Sequence, residues 1–347
     1  MKTNRCMIID TSKDELELDK ELKIVANMLK TGKTVVFPTE TVYGLGANAL
    51  DPMAAKKIYK AKGRPSDNPL IVHISKYDDV DFLAKDISDD ARVLIKAFWP
   101  GPLTLILNKS DKVPLETTGG LDTVAIRMPS NPIARKLIDL AGLAIAAPSA
   151  NISGRPSITS SKYLIEELCE RVDAIIISDD SEIGLESTVI DMTDSVAVIL
   201  RPGKIGKSEI EKVLNKEVKL DPSLKNERLA PKSPGMKYKH YSPKASVVVV
   251  TGSLDEMRDK LLSKLSDYDH DKIKVRVVCL ENRMGLYEPY SVSWGKDSLE
   301  AAKNLFKILR NMDDEKIELV YFESLSDGEI SEAVMNRLIK AAGKQVI

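Results

Sequence analysis

The sequence predicts two different domains: an α+β domain with a mixed, twisted sheet and flanking helices, followed by a small three-layer α/β domain. Three observations favour this arrangement. The chain has 347 residues, 43% of them hydrophobic, which is enough for two cores. In the first two hundred residues short strands outnumber helices, and some neighbouring strands are separated only by turns. After residue 245 strands and helices alternate regularly, which is typical of a parallel sheet.

Apolar spacing predicts the elements of the first domain. Apolar residues recur at helical spacing over residues 19–30, and Gly32 ends that helix. Apolar runs bounded by turn residues predict strands. These strands are expected at residues 34–37, 70–74, 103–107, 123–128, 143–147, 174–178, 187–192 and 196–200. Because some of them are joined by turns alone, antiparallel pairs are expected in the sheet.

The second domain begins after a change in composition. Residues 225–244 contain several prolines, six basic residues and one acidic residue, which indicates a linker. Strands are then expected at residues 246–251, 274–280 and 317–323, and helices at 254–265, 298–312 and 329–342. The predicted domains are therefore residues 1–215 and 246–347, with a basic, proline-rich linker at 216–245.

Composition excludes several functional classes. The formal net charge of −1 provides no general attraction for nucleic acid or anionic membranes, so any phosphate binding must be local. Cys6, Cys169 and Cys279 are too dispersed for a disulfide framework or a thiolate metal site. No apolar run of 18 residues and no signal-peptide core occur, so we expect a cytoplasmic protein with no membrane association.

Residues 60–74, KAKGRPSDNPLIVHI, form the most informative segment. Cations surround the turn at Gly63, and the apolar run that follows predicts a strand. This arrangement predicts an anion site, suited to a polyphosphate, at the edge of the sheet. His73 alternates with Val72 and Ile74, so it faces the other side of that strand. A lone histidine in a strand is structural more often than functional, and here the adjacent cations favour function.

Other polar segments also follow strands. Residues 146–157 are dense in small hydroxyl and amide groups that let backbone N–H groups approach a ligand, although an ordinary Ser/Asn turn is the favoured interpretation of this segment taken alone. Residues 37–44 and 185–190 have the same character. Residues 44–49 have the glycine spacing of a dinucleotide fingerprint, and residues 203–208 end like a P-loop, but neither has the full motif. Three scattered histidines do not predict a zinc site.

Seven segments together resemble the L-threonylcarbamoyladenylate synthase family, the YrdC-like proteins, in its long two-domain form. They are PTETVYGLG (38–46), KAKGRPSDNPLIVHI (60–74), WPGPLTLIL (99–107), TVAIRMP (123–129), APSANISGRPS (147–157), ESTVIDM (186–192) and LRPG (200–203). SPGMKYKHYSPKA (233–245) is similar to the family's interdomain segment. The resemblance implies a YrdC-like first domain and a Rossmann-like second domain.

The resemblance also implies an enzyme that converts L-threonine, bicarbonate or CO₂, and ATP with Mg²⁺ into threonylcarbamoyl-AMP and pyrophosphate. The product would supply a tRNA threonylcarbamoyl-transfer complex, and no protein-ligated metal is expected. The family's functional positions fall here on catalytic residues Lys62, Arg64, Ser149 and Asn151, on ATP-binding residues Arg64, Asn68, Thr123, Ser149, Ser157, Arg201 and Tyr241, and on threonine-binding residues Thr41, His73, Arg127 and Ser187.

The residue types suit this chemistry, because a carbamate must attack the α-phosphate of ATP and both reagents are anions. Arg64 has a planar fork for two phosphate oxygens, and Lys62 is expected to provide a mobile point charge. Arg127 is expected to hold the threonine carboxylate. The linker, with Tyr238, His240 and Tyr241, is expected to close over the adenylate as a lid and slow its hydrolysis.

Two alternatives stay open on sequence grounds. The first is an RNA-binding module that uses the basic turn and linker, although aromatic residues make up only 5% of the chain. A weak RNA contact is compatible with either function. The second is a carbamoyl-transfer enzyme with a YrdC-like domain, although such relatives carry cysteine clusters that this chain lacks.

Overall fold

The computed structural model of the protein describes residues 6–224, 241–268 and 273–347. Contacts divide the chain into two units, each with its own sheet. The first unit comprises Met1–Ser153, Ser157–Glu182 and Glu186–Lys237. The second comprises Tyr238–Ile347 and two short segments from the first half of the chain, Gly154–Pro156 and Ile183–Leu185.

The first unit contains a mixed sheet of 12 described strands, flanked by helices. Its elements are β1 (Met7–Asp10), α1 (Glu15–Lys30), β2 (Val35–Phe37), β3 (Gly44–Asn48), α2 (Pro52–Lys62), β4 (Ile71–His73), α3 (Asp79–Leu83), β5 (Ala84–Lys85), α4 (Asp89–Phe98), β6 (Leu103–Lys109), α5 (Leu115–Thr118), β7 (Thr123–Arg127), α6 (Pro132–Ala141), β8 (Ile145–Ala147), α7 (Lys162–Leu168), β9 (Ala174–Ile177), β10 (Thr188–Asp191), β11 (Val198–Arg201), α8 (Lys207–Leu214) and β12 (Lys219–Leu220). The strand order is β1-β9-β2-β3-β8-β4-β7-β6-β10-β11-β12, and β5 pairs with β6.

Capping residues explain where the first two helices begin and end. Helix α1 begins at Glu15, earlier than the predicted residue 19, because the Asp14 carboxylate accepts hydrogen bonds from two backbone N–H groups of the first turn. Helix α2 begins after Asp51, which caps it in the same way, and ends at Gly63, whose φ of 61° is in the left-handed region. The end of α2 places Lys62 and Arg64 on either side of this glycine.

The two glycine motifs rejected on sequence grounds have other structures. Gly44–Asn48 is strand β3, which the sequence did not predict, and it runs antiparallel to both β2 and β8. A Cβ atom at Gly46 would lie 2.7 Å from Phe37 Cε1, so the glycine lets neighbouring side chains pack on the strand. Residues 203–206 form a turn between β11 and α8, and this turn takes the place of a phosphate loop.

The sheet separates the main apolar clusters by strand alternation. Val72, Leu105 and Ile126 belong to the largest cluster, which covers one face. The neighbouring positions Ile71, Ile106 and Ala125 belong to a small, separate cluster on the opposite face, together with Val189 and Leu200. This second face, which we call the site face, carries the candidate site residues of β4 and β7.

The second unit contains a four-stranded sheet in the order β13-β16-β14-β15, and all its strand pairs are parallel. Its elements are β13 (Ser246–Val250), α9 (Leu254–Ser266), β14 (Val275–Cys279), β15 (Ser291–Ser293), α10 (Ser298–Asp314), β16 (Leu319–Glu323) and α11 (Gly328–Ala341). Every predicted element is present. The short edge strand β15 was not predicted because its three residues, Ser-Val-Ser, have no apolar run.

The predicted linker lies partly outside the described residues. Residues 225–240 are not described, so the lid prediction for Tyr238 and His240 falls outside the structure. On the near side of this gap, β12 pairs with β11 in the sheet of the first unit. On the far side, Tyr241 belongs to the second unit. Within the described parts of the chain, no helix is both long and apolar enough to cross a membrane.

Candidate active site

Strand directions bring four of the predicted residues to one edge of the sheet. Strands β4 and β7 are parallel, and their last residues, His73 and Arg127, are register partners. Strand β6 is antiparallel to β7, and β10 is parallel to β6, so both begin at this edge. Ser187 precedes β10, and Arg201 ends the antiparallel strand β11. His73, Arg127, Ser187 and Arg201 therefore share an edge although they are far apart in sequence.

Arg127 is the most constrained residue of this edge. Its side chain is 4% exposed, Nε donates to the Gly101 carbonyl (3.1 Å), and Nη1 donates to Thr41 Oγ1 (2.8 Å). Nη2 lies 2.5 Å from Glu40 Oε1 and forms an ion pair with it, but the angles are not those of a hydrogen bond. Burial raises the pKa of Glu40, but attraction to Arg127 outweighs it and leaves the pKa below its ordinary value. The Glu40 carboxylate is therefore ionised, and its charge balances that of the guanidinium.

His73 is buried beside this pair in its neutral form. Burial, and then repulsion from Arg127, lower the pKa of His73 from 6.5 to about 3. Its Nδ1 lies 3.1 Å from the Ile71 carbonyl, and its ring contacts Phe37 edge-on at 5.9 Å. If Nδ1 carries the proton and donates to the carbonyl, Nε2 is an acceptor. The lowered pKa favours the neutral imidazole, whose unprotonated nitrogen can accept a hydrogen bond.

A hydroxyl network continues along the edge through Ser187. The Ser187 hydroxyl lies 2.7 Å from Thr104 Oγ1 on strand β6. Arg201 donates to the same serine twice, from Nε to the carbonyl (3.1 Å) and from Nη2 to Oγ (3.2 Å). All three side chains are buried. Ser187, which was predicted to bind threonine, and Arg201, which was predicted to bind ATP, are therefore direct neighbours.

Lys62 was predicted to be a mobile charge, but in the structure its side chain is buried and hydrogen-bonded. The side chain is 1% exposed, and Nζ donates to the backbone carbonyls of Ser149 and Asn151. The Ser153 N–H donates in turn to the Lys62 carbonyl (2.9 Å). Burial requires the ammonium group to be paired, and the loop carbonyls provide that pairing. Lys62 thus holds the loop that presents Ser149 and Asn151, whose side chains hydrogen-bond to each other (2.6 Å).

Arg64, Asn68 and Thr123 lie at the other end of β4 and β7. Arg64 donates from Nη2 to Asn68 Oδ1 (2.6 Å) and to the Pro69 carbonyl (3.0 Å), within the turn that precedes β4. Thr123 is the first residue of β7, four positions before Arg127. At ~3.3 Å per residue, about 13 Å separates the two ends of this strand. Thr123 therefore lies well away from Arg127 along the strand, and Arg64 and Asn68 belong to the turn before β4, at the Thr123 end of this pair of strands.

The last two predicted nucleotide residues are placed separately. Ser157 is fully buried, and its hydroxyl donates to Glu186 Oε1 (2.7 Å). Tyr241 belongs to the second unit, where its ring packs on Phe306 of α10 with 5.1 Å between ring centroids. The role of Tyr241 in binding ATP stays a prediction.

The site face carries a small apolar cluster between its two polar ends. The small cluster contains Ile71, Ile106, Ala125, Val189 and Leu200. Alternation along β7 puts Thr123 and Arg127 on the same face as Ala125. Polar site residues therefore stand at both ends of a buried apolar cluster. The described residues include no group of three or more acidic, histidine or cysteine side chains that could hold a metal ion.

Sequence reasoning missed Glu40, Thr104 and Glu186 as parts of the site. Glu40 and Glu186 stand inside the quoted motifs, next to the predicted residues Thr41 and Ser187. Their signal is chemical, because an acidic residue close to the end of a buried strand needs a cation or a hydroxyl group as partner. Thr104 had only a weak signal, as the one polar residue in the apolar run of β6.

Comparisons with known proteins cover both units. The family described as "Telomere recombination", which groups Sua5, YciO and YrdC proteins, matches residues 27–203. The domain described as "Threonylcarbamoyl-AMP synthase, C-terminal domain" matches residues 205–343. The threonylcarbamoyl-AMP synthase of Pyrococcus abyssi is 47% identical over 94% of this chain and 95% of its own length. That of Bacillus subtilis is 44% identical over 100% of both chains.

A solved structure agrees with these relatives. The crystal structure of P. abyssi Sua5 complexed with L-threonine has a TM-score of 0.91 at 44% identity, and the match covers 99% of this chain and 98% of that one. The matches extend through both units, and their identity is well above the level at which only the fold can be inferred. The chain therefore belongs to the Sua5/YrdC family, in its two-domain form with a Sua5 C-terminal domain.

Proposed function

We propose that this protein is a threonylcarbamoyl-AMP synthase, which makes threonylcarbamoyl-AMP and pyrophosphate from L-threonine, bicarbonate or CO₂, and ATP. The observation that carries the proposal is the buried group of Arg127, His73, Thr41 and Ser187 at one sheet edge. It is supported by relatives named threonylcarbamoyl-AMP synthase that align over both units, and by the relative that was solved with L-threonine.

In this proposal the edge that holds Arg127 binds threonine. Arg127 binds the substrate carboxylate, and Glu40 and Thr41 fix the guanidinium before the substrate arrives. His73 is neutral and can accept a hydrogen bond from the substrate hydroxyl or amine. A site built to hydrogen-bond the hydroxyl group discriminates against valine, because valine would leave a buried polar group unpaired.

The nucleotide binds along the site face toward the other end of β7. That end holds Arg64, Asn68 and Thr123. The loop held by Lys62 contains Ser149 and Asn151, and Ser157 comes after it in the chain. Arg201 hydrogen-bonds to Ser187, which is assigned to threonine, so we assign Arg201 to the α-phosphate. Tyr241 is proposed as a further nucleotide contact.

The reaction forms a C–N bond and an O–P bond, and it breaks an N–H bond of the amine and the bond between the α-phosphorus and the bridging oxygen. The threonine amine attacks CO₂, a proton leaves the nitrogen, and a carbamate forms. A carbamate oxygen then attacks the α-phosphorus, the bond to the bridging oxygen of the β-phosphate breaks, and pyrophosphate leaves. Both reagents are anions, so fixed cations and amides in a desolvated site lower the barrier by opposing their repulsion. Arg201, Arg64 and the Lys62 loop are assigned this task.

Mg²⁺ enters in this proposal as part of the MgATP substrate, bridging phosphate oxygens and keeping much of its water. We assign the parallel sheet of the second unit to the Rossmann-like class. The enzyme is proposed to act in the cytoplasm, where its product supplies a tRNA threonylcarbamoyl-transfer complex.

The activity can be tested with the purified chain, MgATP, bicarbonate and threonine, by following pyrophosphate and the adenylate together. Both products are expected to require threonine, and valine is expected to replace it poorly. Arg64→Ala is expected to lower the rate by on the order of a hundredfold, as loss of a preorganised charged donor usually does. Arg92→Ala is the matched control, since Arg92 forms an exposed ion pair with Asp81 on the surface. Pyrophosphate release that does not depend on threonine would contradict the proposal.

A further inference from the structure

We propose that helix α10 of the second unit holds in place the two chain segments that lead into Ser157 and Glu186, with Arg310 as the positioning residue. The inference deepens the proposed function, on which its nucleotide-binding part rests. It assigns a task to the second unit, for which the sequence indicated none. The starting observation is that Gly154–Pro156 and Ile183–Leu185 group with the second unit, although the chain on either side of them groups with the first.

The segment Gly154–Pro156 is held by three contacts within the second unit. The guanidinium of Arg310 donates from Nη2 to the Pro156 carbonyl. The Ser242 N–H donates to the Gly154 carbonyl (2.9 Å). Arg155 Nη2 lies 3.6 Å from Asp313 Oδ2. Every residue of this segment is therefore fixed by a polar partner.

The segment Ile183–Leu185 is held by close backbone packing. Gly184 has a φ of +76°, and a Cβ atom there would lie 2.4 Å from Lys303 Cα and 2.5 Å from the Lys303 carbonyl oxygen. Both the backbone angle and the contact require glycine. The segment thus lies directly on the backbone of α10, with no space for a side chain between them.

The contact residues of α10 share one face of the helix. Lys303, Arg310 and Asp313 are separated by seven and three positions, the spacing of residues on one helical face. Arg310 is only 2% exposed. A buried guanidinium is costly unless it is hydrogen-bonded, and an aliphatic side chain would fill the same space without that cost. The arginine is therefore explained by what it donates to, and the Pro156 carbonyl is one of its acceptors.

Both held segments end one residue before a site residue. Pro156 precedes Ser157, and Leu185 precedes Glu186. The Ser157 hydroxyl donates to Glu186 Oε1 over 2.7 Å. Successive Cα atoms are separated by a fixed ~3.8 Å, so a shift of Pro156 or Leu185 moves one end of this hydrogen bond. Movement of either held segment therefore displaces one partner of this hydrogen bond through the chain itself.

The test compares Arg310→Gln and Gly184→Ala with the control Arg337→Gln in the full chain. Arg337 is also a buried arginine of the second unit, and it donates to the Ala333 carbonyl within α11. Hydrogen exchange of residues 153–159 and 183–188 reports on the segments without any activity measurement. Calorimetry then measures the dissociation constants of ATP and of threonine.

Both test variants are expected to speed exchange in both stretches and to raise the ATP dissociation constant by on the order of tenfold, since small misplacements in a site are costly. The threonine dissociation constant is expected to change less than twofold. Arg310→Lys, which keeps a cationic donor, is expected to fall between wild type and Arg310→Gln. The control is expected to match wild type in both stretches.

Unchanged exchange and ATP affinity in Arg310→Gln and Gly184→Ala would overturn the inference, and so would equal changes in the Arg337→Gln control. If Arg310→Gln does not fold, Gly184→Ala and Arg310→Lys decide the question by the same measurements. A wild-type chain that binds ATP but makes no adenylate would refute the proposed function and leave the exchange result intact.

Discussion

Two buried charges of opposite sign, Glu40 and Arg127, determine the electrostatics of the proposed threonine site. Each side chain is 4% exposed, and they lie 2.5 Å apart. A buried charge without its partner is far less stable than either the intact pair or an apolar replacement of both. The pair therefore balances the two buried charges and holds the Arg127 side chain in place.

Removing one member of this pair should destabilise the fold more than removing both. Glu40→Gln is expected to lower the free energy of unfolding by about 3–5 kcal/mol, because Arg127 loses its counter-ion. The double variant Glu40→Gln/Arg127→Met is expected to recover most of that loss. Urea unfolding of the single and double variants measures both effects, with Asp81→Asn in the exposed Arg92–Asp81 pair as control, expected to cost less than ~1 kcal/mol. If the double variant loses as much stability as Glu40→Gln and Arg127→Met lose in sum, the two side chains are not directly coupled.

His73 should make the protein less stable as the pH falls. Its pKa is about 3 in the folded chain and near 6.5 when unfolded, so below pH 6.5 the unfolded chain takes up a proton that the folded chain does not. Stability from this residue is complete above pH 6.5 and is lost progressively down to about pH 3.

Between pH 6.5 and 5 the free energy of unfolding should fall by about 1.6 kcal/mol more in wild type than in His73→Asn, because the unfolded histidine is half protonated at pH 6.5 and one full proton changes stability by ~1.4 kcal/mol per pH unit. Asparagine can keep a hydrogen bond to the Ile71 carbonyl. The other two histidines, His240 and His270, are present in both proteins and cancel in the difference. Equal pH profiles for the two proteins would show that His73 is not buried in its neutral form.

Strand pairing explains how the elements assemble the site. The order β4-β7-β6-β10-β11 alternates parallel and antiparallel neighbours so that two strand ends, two strand starts and a further strand end meet at one edge. An all-parallel sheet would bring only carboxyl ends together. The mixed sheet therefore gathers residues from both ends of its strands, which is why motifs over 120 residues apart form one site.

Strand β3 supports this edge through its glycines. A Cβ atom at Gly46 would lie 2.6 Å from Ile145 Cγ2 and 2.7 Å from Phe37 Cε1, and Phe37 contacts the His73 ring. Gly46→Ala is expected to lower the free energy of unfolding by about 1–3 kcal/mol through overpacking. Gly285→Ala is the matched control, since its Cβ atom would meet nothing within 4 Å, and a change within ~0.5 kcal/mol is expected. Urea denaturation compares the two, and equal stability would show that Phe37 and Ile145 can move aside.

For the molecule as a whole, the proposed metal requirement belongs to the substrate. EDTA is expected to stop pyrophosphate release while the threonine dissociation constant and the unfolding midpoint stay unchanged, because the described residues contain no cluster that could hold a metal ion. Activity assays, calorimetry and thermal unfolding in the same buffer check the three quantities. A fall in the unfolding midpoint with EDTA would point to a structural metal bound by the protein.

Much of the architecture was predictable from local pattern. The change from short strands to alternating strands and helices correctly separated the two kinds of sheet, since it depends on hydrophobic period alone. Strands β1, β3, β5, β12 and β15 were missed, and local reasons explain β3 and β15. Gly44–Asn48 is rich in small residues and Ser291–Ser293 is short, so pairing with neighbouring strands determined their conformation.

The sequence by itself determined most of the strands and helices and, through its motifs, the family of the protein. Only the tertiary structure decided what each charged group contacts. It paired Lys62 with loop carbonyls, Arg127 with Glu40, and Arg310 with the Pro156 carbonyl. The physical reason is that apolar period and turn chemistry act over a few residues, whereas a buried charge is neutralised by whichever distant group the sheet order brings next to it.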